Sequence, residues 1–177
     1  RKALAPKDVA CALMEPAMTN RGIILPDPGY HDALRELTEE TGTLLIIDET
    51  HTLSSGVGGY TGAHGLKPDM ITMGKPLASG VPVAAFGMSQ YVSDRVMDRI
   101  LSDGTDESGL GGTLTGNALA LAAMRATLEK VITKQAFRKM MSLAERFEEG
   151  VQGVIDTSGV PWHVARLGVR IEYHFCP

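Results

Sequence analysis

The chain lacks the marks of several broad protein classes. Its 177 residues hold only two cysteines, Cys11 and Cys176. They lie far apart and match no metal-ligand spacing. Cys11 falls in an apolar stretch and reads as a small core residue, and so little cysteine suits a reduced, cytoplasmic setting. Positive charge is not in excess: 17 Lys and Arg against 21 Asp and Glu leave a net charge of −4. A nucleic-acid partner is therefore not expected. No apolar run approaches the roughly 20 residues a membrane helix needs, so no membrane partner is expected either. His31, His64, His163 and His174 show no paired spacing for a metal. A nucleotide P-loop is missing, because Gly74-Lys75 is followed by Pro76 and Asp69 stands where the first glycine belongs. The glycines at 56, 58, 59 and 62 follow no dinucleotide fingerprint, and Ser54-Ser55 lack the context of a nucleophile elbow. No repeat or low-complexity tract interrupts the chain.

What remains is ordinary globular composition, 44% hydrophobic and 21% charged, enough apolar material for a core. Val9 to Met14 is a short continuous apolar run and reads as a buried strand. Asp27-Pro28 opens a helix with Asp27 as N-cap, Tyr30, Leu34 and Leu37 form its apolar stripe, and Gly42 stops it. Leu44 to Ile47 and Met70 to Met73 are further strands. Between them, Leu53 to Gly65 is too rich in Gly and Ser for regular structure. Val81 to Met88 is a fourth strand, and Ser89 caps a helix reaching Leu101, with Val92, Val96 and Ile100 on one face. Ser102 to Gly112 reads as loop. Two helices follow from about Asn117 to Ile155, the second striped by Phe137, Met140, Met141, Ala144, Phe147, Val151 and Val154. From Pro161 onward the pattern is strand. This alternation predicts an α/β fold with a mostly parallel sheet flanked by helices.

In such sheets ligands bind beyond the carboxyl ends of the strands. Glu15, Asp48 and Lys75 each sit at such an end, so parallel pairing of their strands would bring them to one crevice. A lysine amine can form a Schiff base with an aldehyde, and an acidic partner keeps a pyridine nitrogen protonated, so this pair suits pyridoxal 5′-phosphate. Gly74 allows close backbone approach and Pro76 stiffens the exit. Asp48 ends four apolar residues and needs a cationic or donor partner, whereas Glu49 alternates to the other side of its strand. His51 could face a phenolic oxygen or stack near the ring. Thr113, within Gly111-Gly112-Thr113-Leu114-Thr115-Gly116-Asn117 ahead of a helix, belongs to a plausible phosphate site. Blander alternatives stand beside each: a surface lysine, a capping or ion-paired aspartate, a structural histidine, and simple N-capping by Thr115 or Asn117.

Four segments in series, Glu15-Pro16, Leu45-Ile46-Ile47-Asp48-Glu49-Thr50, Pro68-Asp69-Met70-Ile71-Thr72-Met73-Gly74-Lys75 and Gly112-Thr113-Leu114-Thr115-Gly116-Asn117, resemble the class III aminotransferases. These are fold-type I enzymes that use pyridoxal phosphate. Gly112-Thr113-Leu114 with Gly116-Asn117 looks most similar to the glutamate-1-semialdehyde aminomutase branch. The resemblance implies that Lys75 carries the cofactor, Asp48 holds the pyridine nitrogen, His51 faces the phenolic oxygen and ring, and Thr113 reaches the phosphate of a neighbouring subunit. Glu15 matches a glutamate whose role varies. It also implies small amine and carbonyl substrates and a homodimer or higher homo-oligomer. Residues 1–158 would belong to the large domain and 159–177 would begin the small C-terminal domain. The run Thr50-His51-Thr52-Leu53-Ser54-Ser55-Gly56 departs from the family's usual Thr-Gly, aromatic and Arg. The chain starts at Arg1, ends after the strand-like Val169 to Phe175, and covers less than half of a typical member, so a fragment is expected. The expected activity is amino transfer, with an aminomutase, a racemase or an inactive truncated remnant as alternatives.

Overall fold

The computed structural model describes residues 1–103 and 111–176. Its central sheet has the order β1-β2-β3-β4, built from Cys11–Met14, Leu44–Asp48, Met70–Met73 and Ala85–Met88. The pairs β1–β2 and β2–β3 are parallel, with Met14 beside Ile47 and Asp48 beside Thr72. Only β3–β4 is antiparallel. The mostly parallel α/β arrangement predicted above is therefore present. The middle strand β2 is the most buried, with Leu45 4% and Ile47 1% exposed. Cys11 is exposed rather than in the core, because β1 has a sheet neighbour on one side only among the described residues. The fourth strand is shorter than expected. Only Ala85 to Met88 pair with β3, and Pro82 has no N–H to offer a ladder.

Helix α1 spans Tyr30–Thr41. It begins at Gly29 with no side-chain cap, so the expected cap by Asp27 is not formed; Asp27 instead accepts the Tyr30 N–H through its carbonyl. Gly42 ends the helix at φ +70, as expected of a left-handed C-cap. The most buried α1 residue is Thr38, which satisfies its hydroxyl on the Arg35 carbonyl at 2.8 Å, while Tyr30 is exposed. Asp69 fastens this helix to the sheet. Its Oδ2 accepts Arg35 Nη1 and the Leu45 N–H, each at 2.8 Å. Its own N–H and C=O bond to Leu45 and Ser89, so one residue joins α1, β2, β3 and the end of β4.

The stretch 53–65 contains regular structure after all: a 3-10 turn at Thr52–Ser55 and helix α2 at Gly59–His64. The reason is Glu49, fully buried beyond β2. Its carboxylate accepts the backbone N–H groups of Tyr60 and Thr61 and the hydroxyl of Thr52. It thereby supplies partners that a glycine-rich segment could not find within itself. Burial, and then the Glu49 charge, push the Tyr60 phenol up. Helix α3 runs Gln90–Asp103, so Ser102 and Asp103 are helical rather than loop; of the rest of the expected loop, 104–110 lie outside the described residues and Gly111-Gly112 have no regular structure. Ser89 Oγ accepts the Val92 N–H at its start. Helices α4, Ala118–Lys130, and α5, Lys134–Ser158, are capped by Asn117 and Thr133. Along α5, Phe137 and Ala144 are buried but Met140, Phe147 and Val154 are exposed; the apolar stripe is wider than the surface that covers it among the described residues.

Strands β5, His163–Leu167, and β6, Arg170–His174, form a separate antiparallel hairpin. Its turn begins at Gly168, φ +63, and a Cβ there would overlap the Ser55 carbonyl. The hairpin also grips the loop after β1. Arg170 donates to the Thr19 carbonyl, and His174 Nε2 accepts the Ile23 N–H. Ala17, Ile23, Tyr60 and Leu167 form the shared apolar cluster.

Two consequences can be measured by chemical denaturation of the intact protein. Gly168→Ala combines a disfavoured backbone angle with a steric collision and should lower stability by on the order of 2–4 kcal/mol. Glu49→Ala strips three donors of their acceptor and should cost about 3 kcal/mol, while Glu49→Gln, which keeps one acceptor oxygen, should cost less.

Candidate active site

Parallel pairing of β1, β2 and β3 sends their carboxyl ends to one edge of the sheet. Adjacent strands lie about 4.8 Å apart, so Glu15, Asp48 and the Gly74-Lys75 segment emerge side by side. Asp48 is beside Thr72 in the register, and Lys75 follows three residues later. The two strand exits touch: a Cβ on Gly74 would lie 3.4 Å from the Thr50 side chain. Gly74 is buried, but its φ of −144 is not one that demands glycine. Its small size matters here through that contact. Lys75 opens a one-turn 3-10 segment with Pro76 and Leu77, its side chain exposed and its amine in no hydrogen bond or ion pair among the described residues.

Asp48 is half-buried. Burial alone would push its carboxyl up, but hydrogen bonds from the Thr50 side chain and backbone and from Thr72, joined by His51 when its ring is protonated, outweigh it and hold the carboxyl below its ordinary 3.8. The Thr50 N–H donates to Asp48 Oδ1 at 2.8 Å, the geometry of an Asx turn. Asp48 is thus ionised at neutral pH on its own account. Glu49 leaves the opposite face and is consumed by α2, as strand alternation requires.

His51 is mostly buried, its side chain 11% exposed. Its Nδ1 lies 3.0 Å from Thr19 Oγ1 and 3.7 Å from Glu15 Oε2, and Thr19 Oγ1 donates to that same oxygen at 3.1 Å. Nothing in the sequence Met18-Thr19-Asn20 marks Thr19, and only the fold of the loop after β1 brings it to His51. Thr50 was legible in principle as the second residue after an Asp in a turn. Thr113 is placed elsewhere. It is exposed in the turn ahead of α4, where Thr115 Oγ1 accepts the Gly112 N–H at 2.8 Å and Asn117 caps the helix. The capping alternative is realised there by Asn117, and the structure of this chain does not bring Thr113 to the Asp48–Lys75 edge through any described contact.

The donor set fits pyridoxal phosphate: an ionised carboxylate for a pyridinium N–H, an amine without a competing ion pair among the described residues, and a small residue where two loops converge. Among the described residues no group of three or more His, Cys, Asp or Glu is arranged to hold a metal ion.

Comparison with known proteins agrees. The chain is 38% identical over 170 residues to a glutamate-1-semialdehyde 2,1-aminomutase of Anaeromyxobacter dehalogenans, covering 94% of this chain and 37% of that protein. A solved glutamate-1-semialdehyde-aminomutase variant from Pseudomonas aeruginosa, in complex with PMP, superposes with a TM-score of 0.92 at 48% identity, over 98% of this chain and 39% of that one. A β-phenylalanine aminotransferase from Variovorax paradoxus gives 0.82 at 26% identity, over 98% and 40%. The chain therefore spans well under half the length of these relatives. The family model for class III aminotransferases matches residues 2–174, and the chain belongs to that family.

Proposed function

We propose that the intact protein is a pyridoxal-phosphate-dependent aminotransferase, moving an amino group between an amine or amino acid and a carbonyl compound. The observation that carries this is the placement of Asp48 and Lys75 at the tips of adjacent parallel strands. When bound, pyridoxal phosphate supplies an electron sink for the carbanion left by C–H cleavage. Lys75 Nζ holds the cofactor and then takes and returns the proton, which requires the neutral amine. The ionised Asp48 carboxylate holds the pyridine nitrogen protonated. Thr50 and Thr72 keep Asp48 oriented and charged. His51 borders the same edge.

Residues 1–158 are assigned to the large domain and 159–177 to the start of the small one, a reading supported by the separate β5–β6 sheet. A homodimer is part of the reading. In it Thr113 serves the phosphate of the neighbouring subunit, and its exposure among the exposed Leu114 and Leu119 supports that role. The proposed compartment is the cytoplasm, supported by two free cysteines. Aminomutase activity is the second reading, favoured by the aminomutase relatives of this branch.

In the full-length protein, borohydride should fix the cofactor on the Lys75 peptide and bleach a visible band. Lys75→Ala should abolish the labelling and cut turnover by at least about 100-fold. A label on another lysine would overturn the assignment. Turnover that needs a keto-acid acceptor identifies amino transfer; turnover without one identifies the mutase or a racemase. Asp48→Asn gives a pH signature in the cofactor-free protein. Asp48 has a folded pKa below its unfolded 3.8, so it adds stability above that pH and loses it as pH falls through the lower value. The stability gap between wild type and Asp48→Asn should be full at neutral pH and close on acidification below 3.8, as followed by denaturant midpoints.

A further inference from the structure

The β1 loop contributes more than a strand tip. Thr19 is completely buried, and its hydroxyl sits between two groups: Glu15 Oε2 at 3.1 Å and His51 Nδ1 at 3.0 Å. A hydroxyl has one hydrogen to give and lone pairs to receive. A carboxylate can only accept, so the hydrogen goes to Glu15. The lone pair left over faces His51, and a second lone pair at Nδ1 would repel it. Nδ1 therefore carries a hydrogen. Glu15 Oε2, 3.7 Å from Nδ1, draws the same N–H dipole toward the anion. Thr19 is held in place from behind, because Arg170 of β6 donates to its carbonyl and is itself paired with Glu172.

We infer that Thr19 and Glu15 are positioning residues that lock neutral His51 in its Nδ1–H tautomer, leaving Nε2 as an acceptor. Nε2 forms no hydrogen bond with the described residues. The second-neighbour partner of a histidine sets which ring nitrogen is free for chemistry. A neutral His51 of this kind cannot donate to a phenolate oxygen. Its ligand is therefore an N–H or O–H donor. The tautomer is a property of the chain itself and stands apart from the pyridoxal-phosphate reading.

The test is long-range proton–nitrogen correlation NMR on the full-length protein with nitrogen-15-labelled histidine, at a pH where the ring is neutral. His51→Gln assigns the signal by its loss. Wild type should show a pyrrole-type Nδ1 and a pyridine-type Nε2. Thr19→Val, which keeps shape but not the hydroxyl, should move His51 toward the Nε2–H form, and Thr19→Ser should restore the wild-type pattern. An Nε2–H tautomer in wild type overturns the inference, and so does a Thr19→Val spectrum unchanged from wild type. The wild-type spectrum decides alone if Thr19→Val does not fold. The visible band and the borohydride label report on cofactor binding separately, so failure of the lock and failure of the cofactor reading give different results.

Discussion

Everything at the site follows from the parallel pairing of β2 with both of its longer-range neighbours. Parallel strands start and stop on the same sides, so three segments far apart in sequence end beside one another. Had β3 run antiparallel to β2, Lys75 would emerge at the far edge from Asp48. The period of two along a strand then sorts the two acids at the end of β2. Asp48 stays at the open edge and Glu49 turns inward, where its buried charge organises the next segment. One acid is available for chemistry because the next is spent on architecture.

The alternation of apolar runs with helical stripes exposed the fold class in the sequence, since burial on both faces of a parallel sheet leaves continuous runs such as Leu44 to Ile47. Lys75 and Asp48 were legible for the same reason: charged residues that close apolar runs stand out. Other features were not. The 53–65 segment looks irregular in sequence because local propensity there is poor, and the long-range carboxylate of Glu49 overrides it. Cys11 resembles a core residue in sequence because a short apolar run does not say whether its strand lies at an edge, and it is exposed. The cap of α1 was misplaced by Asp27-Pro28, where a turn closed by the Asp27 carbonyl precedes a left-handed Gly29. Thr19 had no signature at all, because its role depends on how the loop after β1 folds back against His51.

The roles of neighbouring threonines also differ with their partners. Thr50 and Thr72 hold an acid ionised, while Thr19 relays the charge of Glu15 to an imidazole. Hydroxyl groups are suited to both tasks because they give and receive at once. The site edge is thus tuned by uncharged side chains placed between charged ones, and the charged residues alone would describe it poorly.

The hairpin formed by β5 and β6 holds the loop after β1 at two points, through Arg170 on Thr19 and His174 on Ile23, and its turn rests against Ser55 beyond His51. Segments on both sides of the imidazole therefore lean on a part of the chain more than a hundred residues later in sequence. Substitutions in that hairpin would reach the Asp48–Lys75 edge through the backbone of these two segments, so the far end of the chain helps to set where the imidazole stands.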